Sequence, residues 1–151
     1  MQDKETIIDQ LRCARIVLKQ LSHTLRADKE IVMAALDRFD HEYGDDDFEY
    51  MTMLEYASVE LQADKEVVLK SLIQNGNNLE YVSEELQNDK EVVLKAVQNP
   101  SWGGTPLQFA GSKLKSDPDV VKLAVFYDTQ ALAFASESLR NDQKFIAELD
   151  I

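Results

Sequence analysis

The sequence has one cysteine, Cys13, and no long run of apolar residues. A single cysteine cannot form an internal disulfide, so the sequence predicts a reducing compartment. No stretch approaches the roughly 18–20 apolar residues that a membrane-spanning helix needs. The first residues also lack the basic and then apolar pattern of a signal peptide. We therefore expect a cytoplasmic protein with no signal peptide and no transmembrane segment.

Basic residues are scarce, with 16 Lys and Arg against 28 Asp and Glu and a formal net charge of −12. Proteins that bind nucleic acid need a basic face to neutralise phosphates, so the charge argues against nucleic acid as a partner. Anionic membrane surfaces are disfavoured for the same reason. The acidic surface is either simply solvated or attracts a partner with a basic surface.

Soft metal ligands are scarce, and no phosphate-binding loop motif is found. His23, His41 and Cys13 are the only soft ligands, whereas a zinc site needs about four ligands with local pairing. A Gly-rich phosphate loop is absent, because Gly103-Gly104 is not followed by the lysine of that motif. The sequence therefore predicts no cofactor, no metal site and no catalytic residue. A Cys13–His23 nucleophile pair is the alternative, but we expect Cys13 to be a small packing residue near a turn.

What the chain does have is an internal repeat. The phrase Asp-Lys-Glu-Val-Val-Leu-Lys occurs at 64–70 and 89–95, and related phrases begin at Asp3, Asp28, Asp117 and Asp142. The aspartates are separated by 25, 36, 25, 28 and 25 residues, so the base unit has 25 residues with insertions of 11 and 3. The expected organisation is a single domain, 1–151, with units near 3–27, 28–63, 64–88, 89–116 and 117–141 and a half unit at 142–151.

Each repeated aspartate is predicted to be the N-cap of a short amphipathic helix, because its carboxylate can accept from the free N–H groups of the first turn. Pro118 supports this, since proline is favoured at the first helical position. The predicted core face recurs at helical spacing after each cap, as Val67, Val68, Ser71 and Leu72 do in the third unit.

The second half of each unit contains a second stripe of apolar residues. Leu79, Val82 and Leu86 stand three and then four residues apart, and the other units repeat that spacing, which predicts one face of a second helix. A turn is expected between the two helices at 75–78. In the first unit the turn is expected near residues 13–16, but no Gly, Pro or Asn marks it there, so one bent helix is the alternative. One aromatic residue per unit is expected to be a core or inter-repeat contact: Tyr56, Tyr81, Phe109 and Phe134.

These patterns predict an all-α fold of about eleven short helices. Each unit would be a helix-turn-helix that cannot bury its apolar stripes alone, so stacked units would share a continuous core. The stack is expected to be an α-solenoid or a compact all-α array.

The 11-residue insertion lengthens the two helices of its unit by 4 and 7 residues, which are close to whole turns. We predict a projecting hairpin, with Gly44 after the first helix and one of residues 45–47 as the next N-cap. Segment 37–53 carries seven acidic residues and one arginine, and aromatic residues are interleaved with them. Such aromatics are typical of protein interfaces, although plain packing explains them equally well. The protein-binding candidates here are Phe39, Tyr43, Phe48 and Tyr50.

The 3-residue insertion produces a loop that contains the only tryptophan, Trp102. Pro100 ends the preceding helix, and Thr105-Pro106 is predicted to begin the next one. Trp102 either folds back over the helix ends or contacts a partner, and it is the fifth protein-binding candidate.

Residues 54–99, with Asp-Lys-Glu-Val-Val-Leu-Lys-Ala-Val, an Asn-Gly turn and Leu-Glu-Tyr-Val-Ser-Glu-Glu-Leu-Gln-Asn-Asp, closely resemble a helical repeat family, domain of unknown function 4116. The resemblance is looser over 3–36 and 117–149. It implies tandem repeats of the kind found in proteins of intracellular bacteria and protists, and no activity or cofactor. It also raises the expectation of a bacterial effector or an effector-regulating module, which would be secreted into a host cell.

The sequence therefore favours a non-enzymatic repeat protein that mediates protein–protein interaction. Two alternatives remain open at this point. One is a structural spacer within a larger protein, and the other is an enzyme whose site the sequence does not reveal.

Overall fold

The computed structural model describes residues 3–13, 16–37, 53–100 and 104–149, and these residues form helices and no β-strand. The α-helices are α1 Lys4–Arg12, α2 His23–Arg26, α3 Lys29–Leu36, α4 Val59–Gln62, α5 Lys65–Gln74, α6 Glu84–Gln87, α7 Lys90–Val97, α8 Ser112–Lys115, α9 Pro118–Tyr127, α10 Glu137–Arg140 and α11 Gln143–Ala147. The 3₁₀-helices are Leu18–Gln20, Met53–Tyr56, Gly76–Tyr81, Pro106–Phe109 and Thr129–Phe134. The predicted all-α class is confirmed.

The six repeated aspartates are N-caps, as predicted, and the helices that follow them are called the Asp-capped helices (α1, α3, α5, α7, α9 and α11). In the third unit Asp64 Oδ1 accepts from the backbone N–H groups of Glu66 at 3.0 Å and Val67 at 3.3 Å. The same two contacts recur at Asp28, Asp89, Asp117 and Asp142. Each cap satisfies N–H groups that the helix itself leaves unpaired.

The core face of the Asp-capped helices is also the predicted one. Val67, Val68 and Leu72 are completely buried, and Ser71 donates a hydrogen bond from its hydroxyl to the carbonyl oxygen of Val68 at 2.8 Å. The corresponding side chains of the next two units are buried as well: Val92, Val93, Ala96, Val97, Val120, Val121, Ala124 and Val125.

The second half of each unit differs from the prediction of one continuous helix. In the third unit a 3₁₀-helix ends at Tyr81, Val82 is extended (ψ 147°), and Ser83 caps α6 through a 3.5 Å hydrogen bond from Leu86 N–H. The three-residue spacing of Leu79 and Val82 fits a 3₁₀ turn as well as an α-helix, so the apolar pattern could not separate the two. A serine or glycine before each short helix was the available signal: Ser22, Ser58, Ser83, Gly111 and Ser136.

Consecutive units pack in chain order. Helix α3 lies between α1 and α5, α7 lies between α5 and α9, and the 3₁₀-helices contact one another in the same sequence. Backbone hydrogen bonds join the units, from Ser83 N–H to Gln62 O at 3.1 Å and from Gly111 N–H to Gln87 O at 2.9 Å. Equivalent bonds connect Ser58 to Arg26 and Ser136 to Lys115. The α-solenoid interpretation stays a prediction.

The turn after α5 brings two units into close contact at Gly76. Its backbone N–H donates to Asn99 O at 2.7 Å, and a Cβ atom at this position would lie 2.0 Å from Ala96 O. Only glycine allows this approach of two backbones. Thr105 and Pro106 begin the next 3₁₀-helix, as the sequence predicted.

The first unit contains a true helix end, so the single bent helix is wrong. Helix α1 stops at Arg12 with Cys13 as its C-cap, and Val17 is extended before the 3₁₀-helix Leu18–Gln20. Cys13 is exposed, which contradicts its predicted packing role.

Among the described residues, no helix combines the length and the apolar character that crossing a bilayer requires.

Candidate functional site

An open groove of about 730 Å³ crosses α3, α5 and α7. We call it the long-helix groove. Its apolar side chains are Met33, Leu69, Ile73 and Leu94. Its polar side chains are Glu66, Lys70, Glu91, Lys95 and Gln98.

The repeat itself places these side chains on one surface. Leu69 and Ile73 stand five and nine residues after the capping Asp64, so they are neighbours on one face of α5. Leu94 and Met33 occupy the same fifth position after the caps of α7 and α3. Because the Asp-capped helices pack side by side, equivalent positions form a row across them.

The apolar groove residues remain accessible although they belong to packed helices. Ile73 is 52% exposed, and Met33, Leu69 and Leu94 are partly buried. By contrast, Leu72, the neighbour of Ile73, is completely buried in the core. The groove therefore presents aliphatic surface that the described part of the chain does not cover.

An ion-pair ladder forms one margin of the groove. Lys29 Nζ lies 2.7 Å from both Asp64 Oδ2 and Glu66 Oε2. In the next unit Lys65 lies 2.7 Å from Asp89 and 2.8 Å from Glu91. Each lysine thus faces two carboxylates, and every step of the ladder carries one net negative charge.

The ladder shifts the proton affinities of its members. The hydrogen bond from Lys29 holds the pKa of Asp64 below its usual value, and the bond from Lys65 does the same for the pKa of Asp89. Hydrogen bonds to these aspartates, followed by those to Glu66 and Glu91, raise the pKa values of the two lysines. The two aspartates and the two lysines are therefore ionised at neutral pH.

The groove also contains two lysines, each four residues after a groove glutamate and so one turn along the same helix face: Lys70 after Glu66 and Lys95 after Glu91. Lys70 pairs with Asp37, and Gln74 donates to the carbonyl oxygen of Leu36, so α5 is fixed to the end of α3. Lys95 holds the equivalent position on α7, the next Asp-capped helix of the stack. The groove therefore combines an aliphatic row with glutamates in the first helical turn and lysines one turn later.

The five side chains that the sequence singled out lie outside the described residues, and so does the predicted hairpin with Gly44 and its N-cap among residues 45–47. The structure therefore leaves Phe39, Tyr43, Phe48, Tyr50 and Trp102 as predictions. Of the acidic segment, only Asp37 and Met53 are described. Asp37 is the C-cap of α3 and binds Lys70, and Met53 is buried. Because α3 ends at Leu36, the predicted lengthening of this helix by four residues is wrong.

Apolar residues outside the core face of α5 were a signal in the sequence that could have predicted the groove. Helix α5 has apolar residues at the fifth and ninth positions, Leu69 and Ile73, in addition to its complete core face. A helix that is apolar on more than one side contacts more than one neighbour or exposes a binding face. Of the four repeated aromatics, Tyr56, Tyr81 and Phe109 pack against the core as predicted, whereas Phe134 is 38% exposed.

A second exposed apolar group lies at the end of α9. Phe126 is 81% exposed and contacts Tyr127 edge to face, with ring centroids 5.2 Å apart. Phe126 occupies the ninth position after its cap, equivalent to Ile73.

Within the described ranges, no group of three or more His, Cys, Asp or Glu side chains is placed to hold a metal ion.

The comparisons with known proteins found one family. The model of a domain of unknown function (DUF4116) matches residues 47–87, 64–115 and 103–140, which together run over more than half of the chain. No curated protein and no solved structure matches.

Proposed function

This chain belongs to the DUF4116 family, and because that family's description names no activity, we propose from the groove that it is a non-enzymatic helical repeat protein that binds another protein. The observation that carries the proposal is the row of accessible aliphatic side chains at Met33, Leu69 and Leu94, extended by the half-exposed Ile73. Aliphatic surface bordered by charged residues is typical of protein interfaces.

The two exposed glutamates of the groove favour a partner with basic residues beside them. Glu66 and Glu91 each share one lysine with a capping aspartate, and their side chains remain 68% exposed. Those carboxylates can accept hydrogen bonds from Lys or Arg side chains of a partner at little desolvation cost. The net charge of −12 would steer such a partner towards the protein.

Site-specific photo-crosslinking tests the proposal. A photoreactive amino acid replaces Ile73 in one protein and Val59 in another, since Val59 is 74% exposed on α4 and does not line the groove. We expect a discrete crosslinked product in an extract of the source cells from position 73 and not from position 59. The product should disappear when Leu94→Glu is added to the protein labelled at position 73.

The result that contradicts the proposal is equal crosslinking from both positions, or none from position 73 under conditions in which the label reacts with a control protein. The spacer hypothesis predicts the second outcome. A label at Phe48 or Trp102 extends the experiment to the predicted contacts in the insertions. Strong crosslinking there, with none at position 73, would place the interface on the insertions instead of the groove.

The roles of effector and of effector-regulating module stay predictions, as do the two compartments, cytoplasm or host cell. Fractionation of the source cells, and of infected host cells if the source is an intracellular bacterium, would test them. Detection of the protein only within the producing cell contradicts the effector role and leaves protein binding untouched.

A further inference from the structure

The apolar side chains of the groove are separated by one distance along α5 and by another across the stack. Both distances limit what can occupy the groove. Along α5, Leu69 and Ile73 are one helical turn apart, about 5–6 Å. Across the stack, Leu69 and Leu94 belong to neighbouring packed helices, whose axes lie about 8–10 Å apart. The apolar floor is thus one row of three side chains with Ile73 one turn beside Leu69, because the ninth positions of α3 and α7 are Asp37 and Gln98. A partner must offer apolar groups at the spacing of the row and a second one beside α5.

We infer that the partner places an amphipathic α-helix across α3, α5 and α7, with its apolar residues at heptad spacing and basic residues on the flank that faces Glu66 and Glu91. Seven residues of an α-helix rise about 10.5 Å, close to one step between neighbouring helices. The apolar residues of the heptad that lies over α5 would meet both Leu69 and Ile73. This inference rests on the proposed function, since it specifies what binds in the same groove.

Other backbone conformations fit these spacings less well. An extended strand returns to the same face every two residues, about 6.6 Å, which does not match the step between packed helices. A polyproline helix advances about 9.3 Å per turn, which does match. Grooves that bind polyproline segments are lined by aromatic rings, however. The described lining of this groove is aliphatic and charged and holds no aromatic ring.

The ends of the row set the length of the contact. At the fifth position of α1, Ile8 is buried, and at that of α9 the row ends in Lys122, which lies 2.5 Å from Glu148. Three accessible apolar side chains remain between them: Met33, Leu69 and Leu94. Two steps of about 9 Å correspond to roughly 12 residues of helix, or nearly two heptads.

The ladder determines which flank of the helix is basic. At the acidic margin two glutamates are 68% exposed, and each step has one lysine for two carboxylates. Lys70, one of the two groove lysines, already pairs with Asp37. Lysine or arginine on the partner is therefore favoured beside Glu66 and Glu91, and acidic residues there would be repelled.

Selection from a displayed library of random 20-residue peptides tests this inference without a known partner. Peptides are selected on the full chain and counter-selected on the Ile73→Glu variant. Val59→Glu is the matched control, because it adds the same charge at an exposed β-branched residue outside the groove. We expect the recovered peptides to carry apolar residues at i, i+3 or i+4 and i+7, to be net basic, and to become helical when bound.

Neutralising the acidic margin gives a second readout. Glu66→Gln with Glu91→Gln should weaken the recovered peptides at least tenfold in Kd and reduce the salt dependence of binding. Glu84→Gln with Glu137→Gln should change the Kd less than twofold, since those glutamates also lie in first helical turns but outside the groove.

Enrichment of extended, proline-rich or acidic peptides would overturn the inference, as would recovery of no peptide that depends on Ile73. The peptide selection tests the helix, and crosslinking at position 73 tests the interface, so the two results can differ. A crosslinked partner without helical peptides keeps the groove as an interface and rejects the helix, whereas no crosslink rejects the interface itself.

Discussion

Lys65 donates a hydrogen bond from Nζ to Oδ2 of Asp89 at 2.7 Å, while Oδ1 of the same carboxylate caps α7. One aspartate therefore begins its own helix and binds the preceding unit. The arrangement recurs from Lys4 to Asp28, from Lys29 to Asp64 and from Lys90 to Asp117. The phrase Asp-Lys-Glu thus encodes a cap and an inter-unit contact together.

Substitutions at Asp89 should separate these two roles. Asp89→Ala loses the cap and the ion pair and should lower the free energy of unfolding by about 1–2 kcal/mol. Asp89→Asn keeps a good capping side chain, so it should cost only about 0.2–1 kcal/mol, the usual value of a surface ion pair. Urea unfolding monitored by circular dichroism measures both. Lys65→Met should match Asp89→Asn; a cost equal to that of Asp89→Ala would show that the ion pair dominates.

The ladder predicts a pH range of maximal stability. Lysine hydrogen bonds lower the pKa values of Asp28, Asp64, Asp89 and Asp117, so their contribution is fully present above the unfolded value, about pH 4, and is lost as the pH falls through the folded values. The lysine pKa values are raised, so their contribution is present below about pH 10 and is lost above it. Unfolding by urea should show a plateau between roughly pH 5 and 9.

A triple variant tests the cause of that acid limb. Lys29→Met, Lys65→Met and Lys90→Met together remove the largest contribution to the lowered pKa values of Asp64, Asp89 and Asp117. The fall in stability between pH 5 and pH 3 should become shallower but persist, because the backbone N–H groups of the caps still bind the carboxylates. An acid limb identical to that of the parent protein would contradict the ladder as its cause.

Gly76 and Gly111 should respond differently to the same change. Gly76→Ala places a Cβ atom against backbone oxygens of Ala96 and Asn99, so the units must separate, at a cost of about 1–3 kcal/mol or more. Gly111→Ala meets only the side-chain amide of Asn88, which is exposed and can rotate away. We expect less than about 1 kcal/mol there. Thermal unfolding of both variants checks the pair, and equal costs would contradict the close approach at Gly76.

Leu72 and Ile73 are adjacent in sequence, but Leu72 faces the core and Ile73 faces the groove. Leu72→Ala should cost about 2–5 kcal/mol, because it leaves a cavity among fully buried side chains. Ile73→Ala should cost less than about 1 kcal/mol, because half of that side chain is exposed. Chemical denaturation compares the two variants. A large loss at Ile73 would mean that another part of the chain covers the groove.

The sequence predicted the fold class, the six caps and the core face, because each depends on residues that are close together in the chain. An aspartate before an amphipathic segment caps it wherever the helix packs. The apolar pattern did not predict that the second half of each unit is a 3₁₀-helix followed by a short α-helix, divided at Ser83 and its equivalents. Apolar spacings of three and four residues fit both 3₁₀ and α turns.

The long-helix groove was not predicted. The sequence directed attention to the insertions, where the five aromatic candidates stay predictions, and the groove came instead from residues within the regular repeat. No single unit contains it, since Met33, Leu69 and Leu94 are 25 or more residues apart in the chain.

The sequence alone determined where helices begin, which faces they bury and how often the pattern returns, because these are local consequences of capping and apolar spacing. Only the tertiary structure decided that Lys65 reaches Asp89 of the next unit and that the fifth positions of three helices form one accessible row. Those relationships depend on how neighbouring units are oriented, and that orientation is fixed by packing between side chains that are far apart in the chain.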